Sequence, residues 1–236
     1  MKTSPIIALD FNSAQEAFSF LDAFEGGINV KVGMQLYYKE GPAIVAKLKE
    51  QGYDVFLDLK LHDIPNTVKS AMEVLAGLGA DLVNVHAAGG QAMMEASLEG
   101  LDKGTPAGLR RPSLIGVTQL TSTDERQVRE EQLIGVSLEQ SVLQYAKLTQ
   151  AAGLDGVVCS VHESTGIAEV CGKKFFKVTP GIRLADSGAQ DQKRIATPAE
   201  ARLAGSTHIV VGRAVTAAAD PRSAYEVITA QWEGLK

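Results

Sequence analysis

Eight short apolar runs punctuate the chain, each hydrophobic at mostly consecutive positions. They are PIIALD (5–10), INVKVG (28–33), YDVFLDLK (53–60), DLVNVH (81–86), SLIGVTQL (113–120), DGVVCS (155–160), FFKVTPGI (175–182) and HIVVGRA (208–214). Continuous apolar character over such short spans predicts strands buried on both faces, the situation of a parallel sheet. The stretches between them carry helix start signals. Ser13-x-x-Glu16, Ser137-x-x-Gln140 and Thr197-Pro198-x-Glu200 are capping-box patterns, the last with proline at the first helical position. After Ser137, the positions of Leu138, Val142, Tyr145, Ala146 and Leu148 form one face of a helix that packs on a sheet.

Strands alternating with helices predict an α/β fold, either a doubly wound open sheet or a (β/α)8 barrel. Eight strands in 236 residues, with no domain-sized break in composition, favour a single (β/α)8 TIM barrel covering 1–236 as one catalytic domain. Two connections are long. Residues 101–112 (LDKGTPAGLRRP) read as a surface loop before the fifth strand. Residues 121–135 follow that strand, and their charged middle, DERQVREE, reads as a solvated helix face.

Composition narrows the function classes. A net charge of −5 lacks the overall basic balance of a nucleic-acid binder, so an anionic ligand must be met by a local cluster of Lys and Arg. No apolar run approaches the ~18 residues of a membrane span, and Asp10 interrupts any export signal. Cys159 and Cys171 fit neither a metal-ligand spacing nor a disulfide framework, so a cytoplasmic protein is expected. Cys159 reads as a small buried hydrophobe, Trp232 as an anchor for the C-terminal helix, and His62 as a structural hydrogen-bonding group.

The polar residues collect where barrels place their chemistry, at the C-terminal ends of strands. Asp10 ends the first run, Lys31 lies in the second, and Asp58 and Lys60 end the third. Asp58 and Lys60, two apart on a strand, point to one face, and each favours the charged form of the other. Asp63 follows, with a plainer reading as the N-cap of the next helix. Lysines and carboxylates in alternation would form a preorganised field for a developing negative charge. Gly181-Ile182-Arg183 and Gly212-Arg213 occupy the loops after strands seven and eight, where barrels bind phosphate, and the small, polar stretch 184–194 would fold over it. Taken singly, Thr67 reads as a helical surface residue, Gln192 as a loop residue, and Gly181 and Gly212 as a turn and a close-approach position.

Together, Ala8-Leu9-Asp10, Val30-Lys31-Val32-Gly33, the block DLKLHDIPNT (58–67), Val178-Thr179-Pro180-Gly181-Ile182-Arg183 and Val211-Gly212-Arg213-Ala214 resemble the orotidine 5′-phosphate decarboxylase family in its bacterial form. The resemblance runs in matching order from the first strand to the eighth. It implies a cofactor-free, metal-free homodimer of barrels with shared active sites, converting orotidine 5′-phosphate to UMP and carbon dioxide at the end of de novo UMP synthesis. It implies a catalytic tetrad of Lys31, Asp58, Lys60 and Asp63, with Asp63 reaching into the partner's site. Asp10 and Lys31 would hold the ribose hydroxyls, helped by Thr67 from across the interface. Thr121 and Ser122 would border the pyrimidine, Gln192, Gly212 and Arg213 would bind phosphate, and Arg183 would be the site residue after strand seven. Two readings compete. One is a magnesium-dependent decarboxylase of a keto-gulonate phosphate, or a hexulose phosphate synthase, on a similar Asp-x-Lys-x-x-Asp strand. The other is a nucleotide-binding sensor barrel without turnover.

Overall fold

The computed structural model of the chain describes residues 3–24, 26–184 and 194–235. All eight apolar runs form strands: β1 (Ile6–Ala8), β2 (Asn29–Gly33), β3 (Asp54–Leu61), β4 (Leu82–His86), β5 (Ser113–Val117), β6 (Gly156–Val158), β7 (Phe176–Thr179) and β8 (His208–Val211). Each pairs in parallel with the next, and β8 returns to β1 through Ile6↔Val210 and Ile7↔Val211, which closes the barrel and removes the edges an open sheet would leave. The helices are α1 (Ala14–Leu21), α2 (Met34–Glu40), α3 (Ala43–Glu50), α4 (Pro65–Ala76), α5 (Gln91–Gly104), α6 (Leu138–Ala151), α7 (Ser164–Cys171), α8 (Pro198–Leu203), α9 (Arg213–Thr216) and α10 (Pro221–Glu233).

The strands read as continuous apolar runs because each side of the pleat meets a different apolar layer. Ile6, Ala8, Phe56, Leu82, Ile115, Val178 and Val210 point into the barrel and pack on one another. Their neighbours Ile7, Val55, Leu57, Val83, Leu114, Ile209 and Val211 point outward into the layer beneath the helices. Capping follows the sequence signals. Reciprocal boxes close the starts of α6 (Ser137 and Gln140) and α8 (Thr197 and Glu200). At α1, Ser13 accepts from the Glu16 amide, but the Glu16 carboxylate reaches one residue further back, to the amide of Asn12. Trp232 donates to the carbonyl of Thr3 (2.8 Å) and Tyr225 to that of Pro5 (3.0 Å), so α10 fastens the start of β1.

The connection before β5 is shorter than the sequence suggests. Residues 101–104 are the last turn of α5, with Leu101 fully buried, and only 105–112 form the loop. Gly104, which reads as loop, is there for helix contact, as is Gly100 one turn earlier: a Cβ on Gly100 or Gly104 would overlap the backbone carbonyl of Lys69 or Glu73 on α4. The charged stretch after β5 is helical as expected. Arg126 pairs with Glu130 and Glu131, and Arg129 with Glu125, all on the solvent side, while Val128 is buried beneath them.

At the end of the barrel that also carries the loop before β5, the first residue of β8, His208, packs edge-on against Phe176 (centroids 5.0 Å apart) beside the Thr207 hydroxyl. Burial pushes its imidazole down to about 4. The folded protein therefore holds a neutral ring where the unfolded chain takes up a proton below pH 6.5. Its contribution is complete above pH 6.5 and is lost as pH falls toward 4. At 1.36 kcal/mol per pH unit this amounts to about 3 kcal/mol. Urea unfolding of the wild type and a His208→Gln variant at pH 7 and pH 4.5 checks it: the wild type should lose more stability than the variant by about that amount. Equal losses would show that His208 takes up its proton as readily in the folded protein as in the unfolded chain.

Candidate active site

The inward-facing parity that packs the barrel floor carries the polar groups at its mouth. Continuing Ile6 and Ala8 by two gives Asp10, Asn29 gives Lys31, Phe56 gives Asp58, and Leu82 gives Asn84. The register sets Ala8 beside Lys31, Lys31 beside Phe56, and Gly33 beside Asp58, so neighbouring strands deliver these side chains to one level. They open into a cavity of about 370 Å³. Asp10, Lys31, Asp58 and Lys60 form one wall, Thr121 and Ser122 another, and Arg183, Gly212 and Arg213 a third, with Val117, Val158 and Val178 among the apolar residues between. Nine of the site residues expected from the sequence thus meet around one space.

Asp58 is the centre of the charged wall. Its two oxygens are taken by different cations: Oδ2 lies 3.2 Å from Lys31 Nζ and Oδ1 lies 2.7 Å from Lys60 Nζ. Asp10 sits on the far side of Lys31, at 3.5 Å, and is largely open to solvent. Burial alone would push the Asp58 carboxyl up, but the two ammonium groups and hydrogen bonds from Lys60 and Asn84 hold it below its ordinary value. The order along the wall is carboxylate, ammonium, carboxylate, ammonium.

Lys60 reaches this position by a route that simple strand alternation does not describe. Its φ is +52°, and between the pairs Leu57↔Val83 and Leu61↔Val85 four steps along β3 face two along β4. The strand bulges, and a non-glycine residue takes a left-handed backbone that costs roughly 1–3 kcal/mol unless its surroundings hold it. Asn84 supplies that support. Its Oδ1 accepts the Lys60 backbone N–H at 2.8 Å, and its Nδ2 donates to Asp58 Oδ1 at 2.7 Å. Asn84 is almost fully buried and was not singled out from the sequence. The signal was its placement: a polar residue at the inward position of the apolar run LVNVH.

The other walls are built by turns. Thr121 and Ser122 are the central residues of a turn closed by the Thr123 N–H on the Leu120 carbonyl (2.9 Å). Gln119, another residue missed from sequence, is buried behind it and donates to Gln132 and Ser141. Gly181, at φ +85°, turns the chain after β7 and leads to Arg183, while Arg213 opens the single turn α9 after Gly212. A Cβ on Gly212 would meet nothing closer than Ala8 Cβ at 4.0 Å, so close approach of protein atoms does not explain that glycine. Cys159 lines the cavity, but burial pushes its thiol up to about 12, which leaves it inert as a nucleophile.

Three expected residues are not gathered here. Asp63 and Thr67 are exposed, on the β3–α4 loop and in the first turn of α4, and do not line the cavity of their own protomer. The capping reading of Asp63 also fails: the helix begins with Pro65 after Ile64 and has no side-chain cap, and the Asp63 carboxylate accepts the adjacent Ile64 N–H (2.6 Å). Gln192 lies outside the described residues, as does all of 184–194 except its two ends. The His62 ring lies 5.7 Å from that of His86, whose basicity is lowered by burial, by His62 and by Lys60. Among the described residues no group of three or more His, Cys, Asp or Glu side chains is set to hold a metal ion, and no helix is long and apolar enough to cross a membrane.

The chain is similar over nearly its whole length to known proteins. A chain named orotidine 5′-phosphate decarboxylase from Lysinibacillus sphaericus is 64% identical over 233 residues, covering 99% of this chain and all of the relative. One of the same name from Bacillus caldolyticus is 61% identical over 235 residues, covering 99% and 96%. The crystal structure of orotidine 5′-phosphate decarboxylase from Lactobacillus acidophilus superposes with a TM-score of 0.88 at 42% identity, covering 97% of this chain and 98% of that one. The model of the orotidine 5′-phosphate decarboxylase / HUMPS family matches residues 3–228, and the chain belongs to that family.

Proposed function

We propose that this cavity decarboxylates orotidine 5′-phosphate to UMP and carbon dioxide, the last step of de novo UMP synthesis, in one barrel domain spanning 1–236. The observation that carries the reading is the Asp58 carboxylate fixed between the ammonium groups of Lys31 and Lys60 (3.2 and 2.7 Å). Loss of carbon dioxide from C6 leaves an electron pair in an orbital outside the pyrimidine π system, where the ring cannot delocalise it. The barrier must be lowered by fixed charge, and enzymes remove about 8–23 kcal/mol in this way and others. Lys60 faces the forming carbanion, stabilises it, and transfers a proton from Nζ to C6; solvent then returns a proton to Nζ. Asp58 faces the departing carboxylate, and its charge is better accommodated once carbon dioxide has left. The neighbouring ammonium groups keep Asp58 ionised, as this role requires.

The remaining residues bind. Asp10 and Lys31 hold the ribose hydroxyls, Thr121 and Ser122 border the pyrimidine, Arg183 stands at the mouth after β7, and Gln192, Gly212 and Arg213 take the phosphate. Arg213 offers a planar fork suited to phosphate oxygens. Binding energy from the phosphate, distant from C6, orients the ring against the charged wall. The chain works as a homodimer, with Asp63 and Thr67 completing the partner's site. Their exposure on the free protomer, beside an exposed Ile64, supports that arrangement. A cytoplasmic setting suits its two free cysteines.

No metal takes part in this reading. Each Asp58 oxygen is already engaged by an ammonium group, which leaves that carboxylate poorly placed to serve a divalent cation. A spectrophotometric assay with orotidine 5′-phosphate should show turnover to UMP that is unchanged by EDTA. Turnover of a sugar phosphate abolished by EDTA would instead support the magnesium-dependent branch of the same family.

A further inference from the structure

The loops after β5, β6 and β7 meet on one side chain that the mechanism does not use. Arg194 is 14% exposed, and it has two partners on two other loops. Its Nη1 pairs with Glu163 Oε1 in the loop after β6, and its Nη2 donates to the Leu120 carbonyl at 2.7 Å. Glu163 is itself buried, and its other oxygen accepts the Ser160 N–H at 2.8 Å. The Leu120 carbonyl is the oxygen that closes the turn presenting Thr121 and Ser122 to the cavity. Below Arg194, Ala196 is stitched to the end of β7: Arg183 N–H donates to the Ala196 carbonyl (2.9 Å), and Ala196 N–H to that of Gly181 (3.2 Å).

We propose that Arg194, oriented by Glu163, is a positioning residue that locks the Thr121–Ser122 turn to the chain flanking Arg183, so that the wall bordering the base and the wall bearing the phosphate ligands hold one spacing. The guanidinium suits this because a planar fork binds a carboxylate and a carbonyl at once in fixed geometry, whereas a lysine ammonium is a single point on a flexible stem. Burial strengthens both contacts and penalises any state in which Glu163 is left without a cation. Arg194 touches no reacting atom and contributes only through the turn it holds. The inference rests on the decarboxylase reading of the cavity.

The test uses the full-length protein with Arg194→Lys, and with a double variant, R194M/E163Q, that removes both charges together and leaves no buried carboxylate unpaired. Wild-type turnover of orotidine 5′-phosphate is measured first, since its absence would defeat the functional reading independently of this one. In both variants kcat/KM should fall at least tenfold, mostly through KM, with UMP affinity by calorimetry falling in parallel and thermal unfolding little changed in R194K. Guanidinium ion added to an R194A variant should recover part of the lost activity and leave Lys60→Ala unaffected. Wild-type kcat/KM and UMP affinity in the folded double variant would overturn the proposal. So would an activity loss that follows only the fall in thermal stability and does not respond to guanidinium.

Discussion

Lys60→Ala is expected to lower kcat by about 10⁴-fold or more while the variant still binds UMP. A positioned general acid contributes roughly 10²–10⁴-fold, and a preorganised charge at the site of a developing anion about 10²–10³-fold. Both roles fall on the same Nζ, so one substitution removes both. The accompanying loss of transition-state stabilisation is about 5 kcal/mol or more. The protein should fold, because Asp58 keeps Lys31 at 3.2 Å and Asn84 at 2.7 Å after Lys60 is gone. UMP carries no carboxylate at C6, so its binding through phosphate and ribose should survive. Single-turnover kinetics with orotidine 5′-phosphate and calorimetry with UMP measure the two quantities. A near-normal rate would remove Lys60 from the mechanism.

Asp63→Ala should abolish most activity by itself, and mixing it with Lys60→Ala should restore some. In a two-fold symmetric dimer with shared sites, the mixed dimer has one site with both lysine and aspartate and one with neither. Random exchange of equal amounts then predicts about a quarter of wild-type activity. The prediction follows from Asp63 lying at an exposed position outside the cavity of its own protomer, with its neighbouring amide as its one hydrogen-bond partner among the described residues. Activity is read after subunit exchange has been verified with differently tagged chains. No recovery despite verified exchange would confine Asp63 to its own protomer.

The charged wall was legible because strand geometry is nearly local. Asp10, Lys31 and Asp58 each stand two residues beyond an inward apolar residue or polar neighbour, and a period of two, once anchored by Ala8 and Phe56, determines where they point. Strand alternation alone directs Lys60 to the same wall but leaves out the bulge that places it there. The bulge and the left-handed φ at Lys60 depend on Asn84, 24 residues further on in the neighbouring strand, and no local pattern specifies that hydrogen bond. The last turn of α5 is not legible for a similar reason: Gly104, inside the stretch that reads as loop, weakens a helix in isolation, yet here it admits the backbone of α4.

What the sequence determined by itself is periodic and short-ranged: eight strands buried on both faces, the caps of α6 and α8, and the chemical residues set at the strand ends. The tertiary structure alone decided which of those residues share a space and what holds them there. It placed Arg194 against Glu163 and the Leu120 carbonyl, Asn84 beneath Asp58 and Lys60, and Asp63 away from its own cavity. The physical reason is that a side chain's direction follows from its own backbone, whereas the partners that fix its charge and rotamer come from segments tens of residues away and meet it only when the barrel closes.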